Sequence, residues 1–177
     1  HKSAGNAISS DDIIKQNGAD ILRLWVASLD YHVDARLSKE ILKQTSEAYR
    51  KLRNTARFML GNLGDFNPDT DSVCDCELTD IDRWALVTFD ELVAKCRAAY
   101  DSYSFHLALH AIHAFCVTDL SNFYLDVLKD RLYVERTDSK SRRAAQTAMW
   151  RILRGLTLLL APMLTFTAEE IWSFLPK

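Results

Sequence analysis

The sequence predicts an all-α protein: an antiparallel helix bundle of about four long helices with short helices flanking it. Three observations lead there. Five glycines and three prolines in 177 residues are too few for a chain built of strands and tight turns. Apolar residues recur at three- and four-residue intervals through most of the length, the signature of helices buried on one side. No stretch keeps the two-residue alternation of a half-buried strand, and no internal repeat is present.

The elements follow in order. Ser10, Asp11 and Asp12 signal the start of a short helix that ends near Gly18. A second short helix runs from 19 to about 28, with Ile21, Leu22, Trp25 and Val26 as its apolar face. Residues 30–37 read as an extended connection. Ser38 caps the next helix, which reaches about Leu63. Its inner face is Ile41, Thr45, Ala48, Leu52, Ala56, Met59 and Leu63, at helical spacing throughout. Residues 64–78 are loop-like. Thr79 and Asp82 form a capping box with Asp in place of Glu. The helix behind it runs to about 102 on Ile81, Leu86, Phe89, Val93 and Cys96. Ser104 opens another to about 129, through Leu109, Ile112, Cys116, Leu120 and Phe123. After a turn at 133–139, a helix from 140 to 160 stacks Ala145, Met149, Ile152, Leu156 and Leu160, and Pro162 stops it. Thr167 and Glu170 read as a capping box for a last helix over 168–174.

Composition bounds the function. Hydrophobic residues make up 48% and charged residues 26%, ordinary for a soluble globular chain. A net charge of −2 does not advertise a nucleic-acid partner, so any such surface must be local. No apolar run approaches the roughly 18 residues of a membrane span. Four cysteines imply no disulfide framework and a reducing compartment. The chain begins at His1, not Met, and is expected to be a piece of a longer protein.

The helix over 38–63 carries the most pointed constellation. At 100° per residue, Lys39, Lys43, Arg50, Arg53 and Arg57 line the face opposite the apolar set, with Asn54 beside them. Such a row is either a solvated charged face or a phosphate contact. Its single sign and its arginines, whose planar fork suits phosphate, favour the contact more than usual. On the helix over 140–160, Arg143, Trp150 and Arg154 share an outward face, where the indole either stacks a base or buries against a neighbouring domain absent from this chain. His106, His110 and His113 have a spacing that lets two pinch a metal, but no carboxylate or thiolate completes a shell, so they read as ordinary polar positions. Cys74-x-Cys76 is one residue short of a zinc knuckle and has no second pair. No metal site and no complete catalytic site is expected.

Several runs together resemble bacterial isoleucyl-tRNA synthetases, along essentially the whole chain. They are H-K-S (1–3), G-N-A-I (5–8), G-A-D-I-L-R-L-W-V-A-S (18–28), R-N-T-A-R-F (53–58), D-R-W-A (82–85), F-Y-L-D (123–126) and F-T-A-E-E-I-W (166–172). H-K-S is similar to the end of that family's Lys-Met-Ser-Lys-Ser loop, with His1 where Ser is usual. The resemblance implies that residues 1–30 are the end of this loop with connecting helices, and 31–177 an anticodon-binding bundle. It implies that Lys2 contacts ATP, which acts with Mg²⁺ in the parent enzyme, and that tRNA(Ile) and an upstream catalytic domain of the same chain are the partners. A cytoplasmic monomer is implied, and the fragment alone is expected to catalyse nothing. Two alternatives stand beside this: a structural bundle that packs on the catalytic domain with little RNA contact, and the same domain of a valyl-tRNA synthetase.

Overall fold

The computed structural model describes residues 9–34 and 37–177. Among them there is no strand. In order come α1 (Ser10–Asn17), α2 (Ala19–Ala27), α3 (Lys39–Asn62), α4 (Pro68–Asp71), a 3₁₀ turn (Asp75–Glu77), α5 (Asp80–Asp101), α6 (Phe105–Ala114), a π-helical segment (Phe115–Tyr124), α7 (Leu125–Val127), α8 (Lys129–Tyr133), α9 (Lys140–Leu160) and α10 (Thr165–Phe174). The expected all-α bundle is what forms.

The capping signals act largely as read. Ser9, one residue earlier than expected, accepts from the Asp12 amide to start α1. Gly18 ends that helix at φ 91°, a left-handed value that side-chain-bearing residues avoid. The Ser38 hydroxyl accepts from the Ile41 amide, and Thr79 with Asp82 closes the capping box of α5. The box read at Thr167 and Glu170 is a misreading. α10 starts at Thr165, so Thr167 lies inside its first turn. Its amide and hydroxyl both donate to Oδ2 of the buried Asp20 on α2, at 2.7 and 2.5 Å. A carboxylate from another helix thus does the capping, and Glu170 turns to Arg53.

α9 is the axis of the bundle. Every residue from 144 to 149 is buried, and Ile152, Leu153, Leu156 and Leu160 continue the core. α3 contributes Leu52, Ala56, Met59 and Leu63, and α5 contributes Ala85, Phe89, Leu92 and Cys96. α2 joins the same cluster through Leu24, where the sequence pattern had favoured Trp25 and Val26; Val26 is exposed.

The stretch from α6 to α8 has its own rule. Ile112, Cys116, Leu120, Tyr124, Leu128 and Leu132 are all buried and fall four residues apart. In an α-helix such a row drifts by about 40° at each step and leaves the core within a few turns. The π-helical segment bonds i to i+5 and widens its turns, which takes back that drift. The single helix expected from 104 to 129 is in fact this composite, and Phe123 swings outward to meet Trp84 edge-on at 5.0 Å.

Cys74 and Cys76 are joined by a disulfide. It is a local link inside one segment, and it corrects the expectation from the cysteine count that no disulfide forms. No helix among the described residues is long and apolar enough to cross a membrane.

Candidate nucleic-acid interface

α3 holds its outer row because its inner face is committed to the core over six turns. Lys39, Lys43, Arg50, Arg53, Asn54 and Arg57 are all exposed. They are not equivalent. Arg50 pairs with Glu47 one turn away. Arg53 donates to the Tyr49 hydroxyl at 3.2 Å and to Glu170 of α10 at 3.0 Å. Tyr49, with Glu170 second, raises the Arg53 pKa further. Tyr49 in turn meets the Thr167 hydroxyl at 3.0 Å, which leads to Asp20. Arg53 is therefore the outer end of a hydrogen-bonded chain that ties α3 to α10 and α2. Lys39, Lys43 and Arg57 make no ion pair among the described residues.

Beside this row, α3 and the π-helical segment enclose a groove of about 560 Å³. Lys51, Asn54 and Phe58 border it on one side, Ser121, Asn122 and Lys129 on the other. The Thr55 and Ser121 hydroxyls meet across its floor at 2.9 Å. Burial first, then Lys51 and His110, lowers the His113 pKa. Lys51 and Lys129 escaped the sequence reading. Lys51 sits at the flank of α3, and Lys129 reaches the same groove only because the α6–α8 composite packs there. Nothing local in the sequence marks that pairing.

The second basic constellation dissolves in three dimensions. Arg143 is not outward: its side chain is 17% exposed. It donates to the Asp65 carbonyl at 3.0 Å and to Gln146 at 2.8 Å, and pairs with Asp71 at 3.4 Å. The segment after α3 covers this face of α9. Neighbouring Arg142 is more buried still, gripping Asp65 through both terminal nitrogens. Arg142 is the largest cause that holds the Asp65 carboxyl below the usual range. Trp150 is half-buried, donates to the Pro176 carbonyl at 3.1 Å and tilts against Phe66. Of the three, only Arg154 is exposed, its guanidinium 5.8 Å from the Trp150 ring centre. The indole packs within the chain itself, a setting that neither sequence reading foresaw.

Lys2 lies outside the described residues. Among those described, no group of three or more His, Cys, Asp or Glu is placed to hold a metal, and the three histidines of α6 do not converge on one.

Comparison with known proteins bears on all of this. A family model described as the anticodon-binding domain of tRNA ligase matches residues 82–177. One described as tRNA synthetases class I (I, L, M and V) matches residues 1–38. An isoleucine–tRNA ligase of Syntrophotalea carbinolica is 56% identical over 175 residues, 99% of this chain and 19% of that protein. One of Caldicellulosiruptor bescii is 57% identical over 171 residues, 97% of this chain and 19% of that protein. The chain thus spans about a fifth of the length of these relatives. Among solved structures, a ternary LeuRS–tRNA–LeuAMS complex from Agrobacterium radiobacter matches with TM-score 0.72 at 18% identity, over 98% of this chain and 20% of that one. Mycobacterium tuberculosis methionyl-tRNA synthetase bound by methionyl-adenylate matches with TM-score 0.76 at 24% identity, over 96% and 34%. At such identities these two likenesses speak to the fold alone.

Proposed function

This chain belongs to the isoleucine–tRNA ligase family, and we propose that its bundle holds the anticodon stem of tRNA(Ile) against the outer face of α3. The observation that carries the reading is the row of Lys39, Lys43, Arg50 and Arg57 along one helix, all exposed and only Arg50 paired with a carboxylate, in a chain of net negative charge. Asn54 and the groove beside it add amide and ammonium groups within reach of the same strand. Arg154 is a secondary candidate, whereas Arg143 and Trp150 act by holding the segments around them.

The longer protein is read as an isoleucine–tRNA ligase that activates isoleucine with ATP and Mg²⁺ in the cytoplasm, as a monomer. Its catalytic domain lies upstream in the same chain. Lys2 would contact the ATP phosphates there, an ammonium suited to charge that builds on a transferring phosphoryl group. The division at residue 30 is one of role, since Leu24 of α2 shares the bundle's core. On this reading the fragment alone gives no isoleucine-dependent ATP–pyrophosphate exchange.

A second reading, a structural bundle with little RNA contact, draws on Arg50 and Arg53 having carboxylate partners. The affinity of the fragment for tRNA, measured across a salt series, separates the two. An affinity that falls steeply with salt supports the interface, and no salt-dependent binding rejects it.

A further inference from the structure

The four cysteines sort into two kinds. Cys96 and Cys116 are buried and free, and burial pushes their thiols up to about 11 and about 12. The thiolate is the reactive form, so both are inert in the folded protein. Cys74 and Cys76 are exposed, bonded to each other with their Cα atoms 5.4 Å apart, and lie in the segment between α4 and α5. Leu78 behind the 3₁₀ turn is buried and Thr79 is held by Asp82, but the turn itself has little else to order it. It closes on one backbone bond, Glu77 amide to Cys74 carbonyl at 3.0 Å. Outward from the turn run four single contacts. The Val73 amide donates to the Thr147 hydroxyl, Asp75 pairs with Arg151, Glu77 pairs with Lys140, and Arg83 donates to the Cys76 carbonyl. Exposed ion pairs of this kind hold a segment weakly.

We propose that Cys74 and Cys76 form a reversible dithiol–disulfide site, open to exchange with small thiols and disulfides of the glutathione class, which decides whether residues 73–77 stay fixed on α9. Reduction consumes two thiols. The first, as thiolate, attacks one sulfur of the pair; the S–S bond breaks and the other cysteine leaves as a thiolate that takes a proton. The second thiol resolves the mixed disulfide, leaves as the small disulfide, and the pair has gained two electrons and two protons. Oxidation is the reverse, with the small disulfide as oxidant. In the reduced form the turn loses its covalent clasp. Asp75 and Glu77 then separate more readily from Arg151 and Lys140, and two cations of α9 lose their carboxylate partners.

The chain as it stands, equilibrated in glutathione buffers of graded redox ratio, tests this. Native-state alkylation read by peptide mass spectrometry should show Cys74 and Cys76 passing together from both labelled to both unlabelled as oxidised glutathione rises. Cys96 and Cys116 should stay unlabelled throughout. Labelling of Cys74 and Cys76 in every buffer, or a separate glutathione on each, overturns the site. Cleavage after Glu77 by a glutamate-specific protease should be several-fold faster in the reduced protein. In Cys74→Ser it should be equally fast in either buffer. Equal rates for the oxidised and reduced wild-type chain overturn the control of the segment, whatever the labelling shows.

Discussion

Arg131 clasps Asp82 inside the bundle with two parallel hydrogen bonds, Nη1 to Oδ1 at 2.9 Å and Nη2 to Oδ2 at 2.8 Å. The aspartate side chain has no exposed surface, and the arginine is 14% exposed. The same carboxylate accepts from the Tyr124 hydroxyl at 2.9 Å and from the amide and hydroxyl of Thr79. One residue therefore caps α5, ties it to the π-helical segment and anchors α8. Removing it strands a buried guanidinium and a buried phenol. Asp82→Ala is expected to cost about 3–5 kcal/mol, read as a lowered urea midpoint. Asp82→Asn with Arg131→Met should recover part of that, since the uncompensated charge goes with the arginine. A loss under about 1 kcal/mol in the single variant would show the clasp to be dispensable.

The α3 row makes a prediction about RNA and stability together. Lys43→Ala, Arg50→Ala and Arg57→Ala lie on an exposed face, so the fold should hold. Affinity for any tRNA should fall, and the slope of log affinity against log salt should become shallower by about 0.7–0.9 for each phosphate contact removed. Arg53→Ala should differ, melting earlier because it breaks the chain to Tyr49 and Glu170. A triple variant with an unchanged salt slope would remove the row as the RNA contact.

Asp65 gives the bundle a pH dependence with a definite sign. Its folded pKa is lowered, chiefly by Arg142 and then, after burial opposes, by Gln146. A depressed carboxyl stabilises the fold above its unfolded value, about 3.9, and the contribution fades as pH falls through the folded value. Asp65→Asn should therefore lower stability at neutral pH and flatten the acid limb of a melting-temperature profile. Parallel profiles for the variant and the parent between pH 6 and 2 would show no linkage at this group.

Gly155 sits where a Cβ would come within 2.6 Å of two atoms of the Phe89 ring. Alanine is the better helix former by about 1 kcal/mol. Here the overlap should outweigh it, because Phe89 is buried and packs on Phe115 with ring centres 5.8 Å apart. Gly155→Ala should destabilise by about 1–3 kcal/mol in thermal or urea unfolding. Adding Phe89→Leu should relieve part of the clash. A stabilised single variant would mean that the ring moves aside freely.

What the sequence disclosed and what it hid divide along one physical line. Helix positions and their inner faces were legible because 3.6-residue periodicity is a local property, and so were the caps at Ser38 and Thr79, whose partners lie three residues away. The caps and clasps that escaped join distant residues. Asp20 and Thr167 are 147 positions apart, Arg142 and Asp65 77. The same distance misled the reading of Arg143 and Trp150. A helical wheel tells which side of a helix is basic, not whether another segment already lies on that side. The α3 row survived as an exposed surface because the helix is at the edge of the bundle, whereas α9 runs through its middle.

The four-residue row from Ile112 to Leu132 has a consequence for how this part of the chain can change over evolutionary time. The π-helical segment fixes the phase between the residues before and after it. Losing one residue downstream of Tyr124, with the π winding kept, would turn everything beyond it by about 100°. Leu128 and Leu132 would then leave the core, and Lys129 would leave the groove it shares with Lys51. A conservative substitution there risks a cavity; a one-residue insertion or deletion would scramble the register of α7 and α8. Length, more than composition, is the inherited property of this helix.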